Sequence, residues 1–390
     1  MLLDSLMLKF SYRGGYMLSL DINQFWKDDE LAHEDNCFSK NAPQSAMAIR
    51  MSDECVFAEL NTPGKPWLPM DRERRMELNK RYNDKAEKIV GRRLLKEYYP
   101  ADDETYPKVK LIGEIFGGRY VSNENSVWLE SAINTPCELE ALLDKVERMD
   151  IKDFILPPNW YSEKKRIHEK YGTRLTQVRS VRGPVTLATS IYGVENMIFL
   201  ILDEPGLAKR FSQAITKVII DIMAAVDEEC GFTPENAPNG FRFYDDDCNL
   251  MTPEMYHLFG YPVLKEVFEY TDRNPAEHKH KRYQHSDSAM AHLLPQLADF
   301  KLTGCNFGPT VSVEDIRRYM PDTRIDGQLA PFTFMRNNEE DIITEVKRDC
   351  EMARDRKGLN VMTAGSINNG SLLTSMRTVM AAIQNYGRYD

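Results

Sequence analysis

Apolar and polar positions divide the chain into an irregular opening and a regular second half. After Gly240, short strand-like runs at residues 241–244, 282–285, 302–307, 324–329 and 360–364 alternate with helical patterns. The helices are expected to start near Thr252, Ala289, Val313, Glu339 and Leu372. Five successive β–α units with short connections predict a parallel sheet, since parallel neighbours need a crossover between them. Upstream, residues 109–116 read as a strand ending at Gly117-Gly118, and further strands are expected near Phe154 and Thr176. With the strand near Lys110, these complete eight, which predicts an α/β fold of the (β/α)8 TIM-barrel type.

Two upstream helices carry clear signals. In residues 137–149, Leu139, Leu142, Leu143 and Val146 recur at spacings of three and four, with Thr135 as N-cap and Glu138 as its capping-box partner. A long helix over 205–230 stops at Gly231 and Pro234. Residues 71–97, with Met76, Leu78, Ile89, Val90 and Leu94, read as one or two helices. The first 65 or so residues are irregular, punctuated by Pro43, Pro63 and Pro66. The expected organisation is an N-terminal extension over 1–105 and a barrel over 106–390.

Composition narrows the function classes. A net charge of −10 lacks the basic surface that a duplex binder needs, so no nucleic-acid partner is expected. No apolar run approaches the roughly 20 residues of a membrane helix, so no membrane partner is expected. The first 17 residues place Asp4 early and lack a basic-then-apolar signal layout, so the cytoplasm is the expected compartment; Met17 is an alternative start. Seven scattered cysteines form no C-x-x-C pair, which argues against a disulfide scaffold or a zinc knuckle. His278 and His280 lie in a charged run and are expected in a solvated loop.

In a parallel barrel the chemistry gathers at the C-terminal ends of the strands. At or just past the ends of the predicted strands stand Asp245, Asp246 and Asp247; His285, Ser286 and Asp287; Cys305, Asn306 and Gly308; Asp326 and Gln328; and Gly365, Ser366 and Asn368, a set of acids, one histidine and several amides. Arg182 precedes Gly183-Pro184 earlier in the chain. His285 and Asp287 stand two apart on an extended segment and so share a side, able to reach one metal or one substrate atom. Acids at strand ends also cap helices, and a histidine in such a place can serve only a structural hydrogen bond; both readings stay open here.

Arg182-Gly183-Pro184-Val185-Thr186-Leu187-Ala188-Thr189, Asp203-Glu204-Pro205-Gly206-Leu207, and Tyr244-Asp245-Asp246-Asp247 with Thr252-Pro253-Glu254-Met255-Tyr256 shortly after it resemble segments of the uroporphyrinogen decarboxylase superfamily. His285-Ser286-Asp287, Gly327-Gln328-Leu329-Ala330-Pro331 and residues 365–389 are similar too, so the resemblance covers about 110–390. It implies a (β/α)8 barrel, often a homodimer. It also implies one of two activities: tetrapyrrole decarboxylation, or zinc-dependent methyl transfer with a corrinoid protein.

Departures from the family pattern separate these activities. The decarboxylase R-x-x-G-R-Y segment has no counterpart, Ser190 replaces its tyrosine, and Ser366 its late histidine. The thiol-activating methyltransferases carry H-x-C and a late G-C; here His285 is kept, while Asp287 and Ser366 stand in place of the cysteines. The expected function is therefore methyl transfer from a small O- or N-methylated donor to a corrinoid on a separate protein. His285, Asp287 and Asp246 are the expected catalytic residues, and His285 and Asp287 the expected zinc ligands. Arg182, Tyr244, Asp245, Asn306, Asp326, Gln328 and Ser366 are expected to bind substrate. The alternatives are decarboxylation of a tetrapyrrole or other carboxylated substrate, and a non-catalytic barrel that binds a ligand or a corrinoid protein.

Overall fold

The computed structural model describes residues 7–11, 17–64, 66, 68–122, 127–131, 133–277 and 281–389. The expectations for Asp4, His278 and His280 lie outside them. Seven strands have parallel neighbours: β1 (Ala46–Met47), β2 (Ser180–Arg182), β3 (Phe241–Tyr244), β4 (Arg282–Ser286), β5 (Gly304–Phe307), β6 (Arg324–Leu329) and β7 (Leu359–Thr363). The chain divides into two compact units, residues 1–99 with 303–390, and residues 100–302.

In the first unit, β6 lies between β5 and β7, and β7 takes β1 as its other neighbour, with Asn360 opposite Ala46 and Val361 opposite Met47. The opening of the chain thus supplies a strand to this parallel set. Helix Ile22–Ala32 is fastened to that strand by one acid: Asp29 Oδ1 accepts the Met47 N–H at 2.8 Å. The Asp21 N–H donates to Gln384 Oε1 at 2.8 Å, tying the same region to helix Leu373–Tyr386. At Gly358 the backbone is left-handed (φ +70°), and an added Cβ would come within 2.2 Å of the Phe38 ring, so only glycine fits there.

In the second unit, β3 lies between β2 and β4. Helix Pro136–Glu147 begins at Thr135 with the reciprocal Thr135–Glu138 capping box read from the sequence. Helix Pro205–Glu229 buries Ala208, Phe211, Ile215, Val218, Ile222 and Val226, a three-and-four spacing that lays one apolar stripe into the core. Each large member contributes on the order of 1.5–3 kcal/mol by leaving water.

Two expected strands are absent, and the one expected near Thr176 forms slightly later, as β2. Residues 109–116 instead contain the short helix Ile112–Ile115, where the Glu114 carboxylate accepts the Leu111 N–H at 2.7 Å and Gly118 N–H turns back to the Gly113 carbonyl at 2.8 Å. Phe154 lies in helix Ile151–Ile155, started by Asp150, whose side chain accepts the Asp153 N–H at 3.0 Å. Thr176 lies in irregular chain before β2. In the first two places a local side-chain or turn bond competes with strand pairing and wins. The parallel strands therefore number seven, not eight, among the described residues. No single helix among them is long and apolar enough to cross a membrane.

The anchor of the first helix is pH-sensitive. His33 Nε2 lies 3.6 Å from Asp29 Oδ2, and that partnership, together with Cys37, raises the imidazole from 6.5 to about 10. A folded-state value raised this way stabilises fully below pH 6.5 and is lost as pH rises through about 10. Wild type and Asp29→Asn, whose amide oxygen can still accept from Met47, should therefore differ in urea midpoint at about pH 6 and converge above about pH 10. A difference that does not change with pH would remove His33 as the charged partner.

Candidate functional site

Side chains alternate along a strand, so every second residue shares a face. Register aligns Arg182 with Tyr244 and Tyr244 with His285, one row across the ends of β2, β3 and β4. Phe241 and Phe243 point to the opposite, buried face, where Phe243 meets the Phe268 ring edge-on at 5.4 Å. The row thus presents a cation, a phenol and an imidazole together, with the Tyr244 and His285 rings 5.4 Å apart.

The three acids after β3 diverge. Asp245 is fully buried; its Oδ1 accepts the Thr186 N–H at 2.8 Å, and its Oδ2 has no partner among the described residues. Burial pushes its carboxyl up to about 7, against the pull of the Thr186 donors. Asp247 takes the Thr189 hydroxyl, and its own N–H donates to Thr186 Oγ1 at 2.9 Å. Both therefore fasten the β3 end to helix Pro184–Tyr192.

Asp246 turns the other way. Its Oδ1 accepts the Asp287 N–H at 2.8 Å and lies 3.8 Å from His285 Nε2, which is itself 3.0 Å from Asp287 Oδ1. The ligand atoms of these three side chains lie within 4.8 Å of one another. His285 is enclosed, at 14 % side-chain exposure, while the two carboxylates are about half open, so a ligand can reach the acids with the imidazole already in place. Burial raises the Asp246 carboxyl above its ordinary value, an effect opposed by the Asp287 N–H and by His285.

One imidazole nitrogen and two carboxylates form a donor set that zinc accepts, and a catalytic zinc keeps a further position for substrate. Cys248 lies close by, its Sγ 3.8 Å from the Ser286 hydroxyl. Burial holds that thiol well above its usual range, and the ligand atoms that gather here are those of Asp246, His285 and Asp287.

The other expected substrate-binding residues belong to the first unit. Asn306 donates to the Thr363 carbonyl at 3.1 Å and accepts the Gly365 N–H at 3.1 Å. Asp326 accepts from Arg324 Nε at 2.7 Å and from Asn360 at 2.8 Å. Gln328 donates to the Gly308 carbonyl at 3.3 Å and to Val311. Ser366 is exposed. The first three tie the strands of that unit to one another. Sequence reasoning missed the hydroxyls of Thr186, Thr189 and Ser190; their signal was an i, i+3, i+4 spacing at the start of a helix, directly after Gly183-Pro184.

Comparison with known proteins places these motifs. The family profile described as Uroporphyrinogen decarboxylase (URO-D) matches residues 136–386. No match was found among curated proteins. Among solved structures, a methyltransferase from Methanosarcina mazei is similar with a TM-score of 0.50 at 16 % identity, over 80 % of this chain and 86 % of that one. A B12-independent methionine synthase from Shewanella sp. W3-18-1 aligns with a TM-score of 0.36 at 11 % identity, over 82 % of this chain and 90 % of that one. At such identity the first likeness speaks for the fold alone.

Everything at the β3 end rests on a close approach. A Cβ added at Gly183 would lie 2.2 Å from the Asp245 Cβ. Gly183→Ala should therefore cost about 3 kcal/mol by overpacking, measurable as a lower urea midpoint at unchanged m-value. Wild-type stability in that variant would show that the two strand ends can part freely.

Proposed function

The chain belongs to the uroporphyrinogen decarboxylase family, and from that premise we propose that it is a methyltransferase. The donor is a small O- or N-methylated compound and the acceptor a corrinoid held by a separate protein. The observation that carries this reading is the Asp246–His285–Asp287 cluster at the ends of β3 and β4, which offers a nitrogen and two oxygens and no thiolate.

Methyl transfer from an ether breaks the carbon–oxygen bond. The methyl group passes to the corrinoid, the electron pair stays on the departing oxygen, and that oxygen needs a proton or a positive charge beside it. The Asp246–His285–Asp287 cluster suits this task. His285 is held by its short contact with Asp287 and by the Tyr244 ring, so its Nε2 is directed at the two carboxylates of the cluster. Asp246, kept toward its neutral form by burial, can hold or give a proton at the same place. The donor set also suits zinc, with Asp246, His285 and Asp287 as its ligands; when bound, zinc would supply Lewis-acid polarisation of the departing oxygen. A site without thiolate suits a donor and leaving group built on oxygen or nitrogen.

Elemental analysis of chelator-free protein, wild type beside His285→Ala, tests the metal. About one zinc per chain is expected in the wild type and none in the variant. Turnover tests the chemistry, with free cob(I)alamin as methyl acceptor and a panel of methoxylated donors. Asp287→Ala should lower kcat about 10²-fold or more while donor affinity changes little. Loss of affinity alone would mark a binding protein, and release of carbon dioxide from a carboxylated substrate without methyl transfer would replace this reading with decarboxylation.

A further inference from the structure

Along the same row, two strands from His285, stands a cation without an acid. Arg182 is half-buried at the end of β2, and its Nη1 donates to the Ser190 hydroxyl at 2.9 Å. The Ser190 hydroxyl in turn donates to the Thr186 carbonyl at 2.7 Å, which fixes its lone pairs toward the guanidinium. No carboxylate among the described residues pairs with Arg182. Arg282 of β4 pairs with Asp272 at 2.6 Å and Arg179, just before β2, with Asp227 at 2.8 Å, while Arg242 of β3 lies over the Tyr283 ring at 4.5 Å.

Arg182 faces a cavity at the open edge of β2. Residues 109–112 stand off the open edge of β2 instead of pairing with it, and a cavity of about 290 Å³ is lined by both. Its walls are mainly apolar and aromatic, with Tyr120, Tyr244, Ile219 and Met223 among them. The second cation at its rim, Lys110, is engaged elsewhere, its ammonium 3.9 Å from the centre of the Phe154 ring. The volume lies near the lower end of the roughly 300–1,000 Å³ that small-molecule pockets span, which suits a compound of about one ring.

A guanidinium held in place against apolar walls without a counter-charge is costly unless a ligand supplies the charge, and its planar fork fits a carboxylate. We propose that this cavity binds a compact aromatic carboxylate, the acid on Arg182 and the ring between Tyr120 and Tyr244. On the methyl-transfer reading, this acid is the end of the methyl donor remote from His285.

Isothermal titration of the full chain with 4-methylbenzoate and its neutral counterpart 4-methylbenzamide tests the assignment. Neither probe carries a methyl group on oxygen or nitrogen, so the result does not depend on methyl transfer. The wild type should bind the acid about tenfold more tightly than the amide, the worth of a charge-assisted pair. Arg182→Gln should bind the two alike, Arg182→Lys should keep part of the preference, and His285→Ala should keep all of it. If Arg182→Gln melts early, the Arg182→Lys comparison carries the test, since loss of the fork alone must weaken acid binding. Equal affinities in the wild type, binding of neither probe, or a preference that survives Arg182→Gln would overturn the proposal. Acid binding through Arg182 in a protein that transfers no methyl group would keep this subsite and dismiss the methyl-transfer reading.

Discussion

The second unit turns on one contact, the carboxylate of Asp245 against the backbone of Gly183. Because position 183 has no side chain, β3 can bring an acid directly over the first turn of the helix after β2. There the free N–H groups of a helix start receive it. This locks the ends of β2 and β3 in register and with them the row of Arg182, Tyr244 and His285. It also divides the labour among three consecutive acids. With Asp245 and Asp247 committed to the helix, the chain direction leaves Asp246 facing β4, where it meets His285 and Asp287. Burying a carboxyl costs free energy, and the donors at the start of this helix, with the close packing around it, offset that cost.

The regular half of the chain was legible because its signals are periodic and local. The strand Arg324–Leu329 and the helix starts at Val313 and Glu339 fall where the sequence puts them, as does the capping box at Thr135. The upstream strands were misread for a physical reason. Residues 109–116 are apolar enough for a strand, but Glu114 reaches back to the Leu111 N–H and the Gly118 N–H turns back to the Gly113 carbonyl. A short apolar run cannot by itself distinguish these outcomes. Phe154 shows the same competition, decided by the cap at Asp150.

At the site, the pairing of His285 with Asp287 was readable from their spacing, since alternate residues of a strand share a side. Which of Asp245, Asp246 and Asp247 would join them was not. That choice depends on Thr186 and Thr189, whose contacts to these acids span 59 and 58 positions of sequence, and on the missing Cβ of Gly183. The cavity beside Arg182 was invisible as well, because it lies between the edge of β2 and residues 109–112, which were read as a strand. Long-range hydroxyl contacts and empty space leave no period in a sequence.

The in-register row also sets a scale of length. Adjacent strands lie about 4.8 Å apart, so Arg182 and His285, two strands apart on one face, have their backbones about 10 Å from each other. That spacing belongs to the hydrogen-bonded backbone and does not change with the side chains mounted on it. Any molecule that touches both residues is measured against the sheet itself. Substitutions around the pocket can alter which groups are welcomed at either end, while the span between the ends stays fixed by the pitch of the strands.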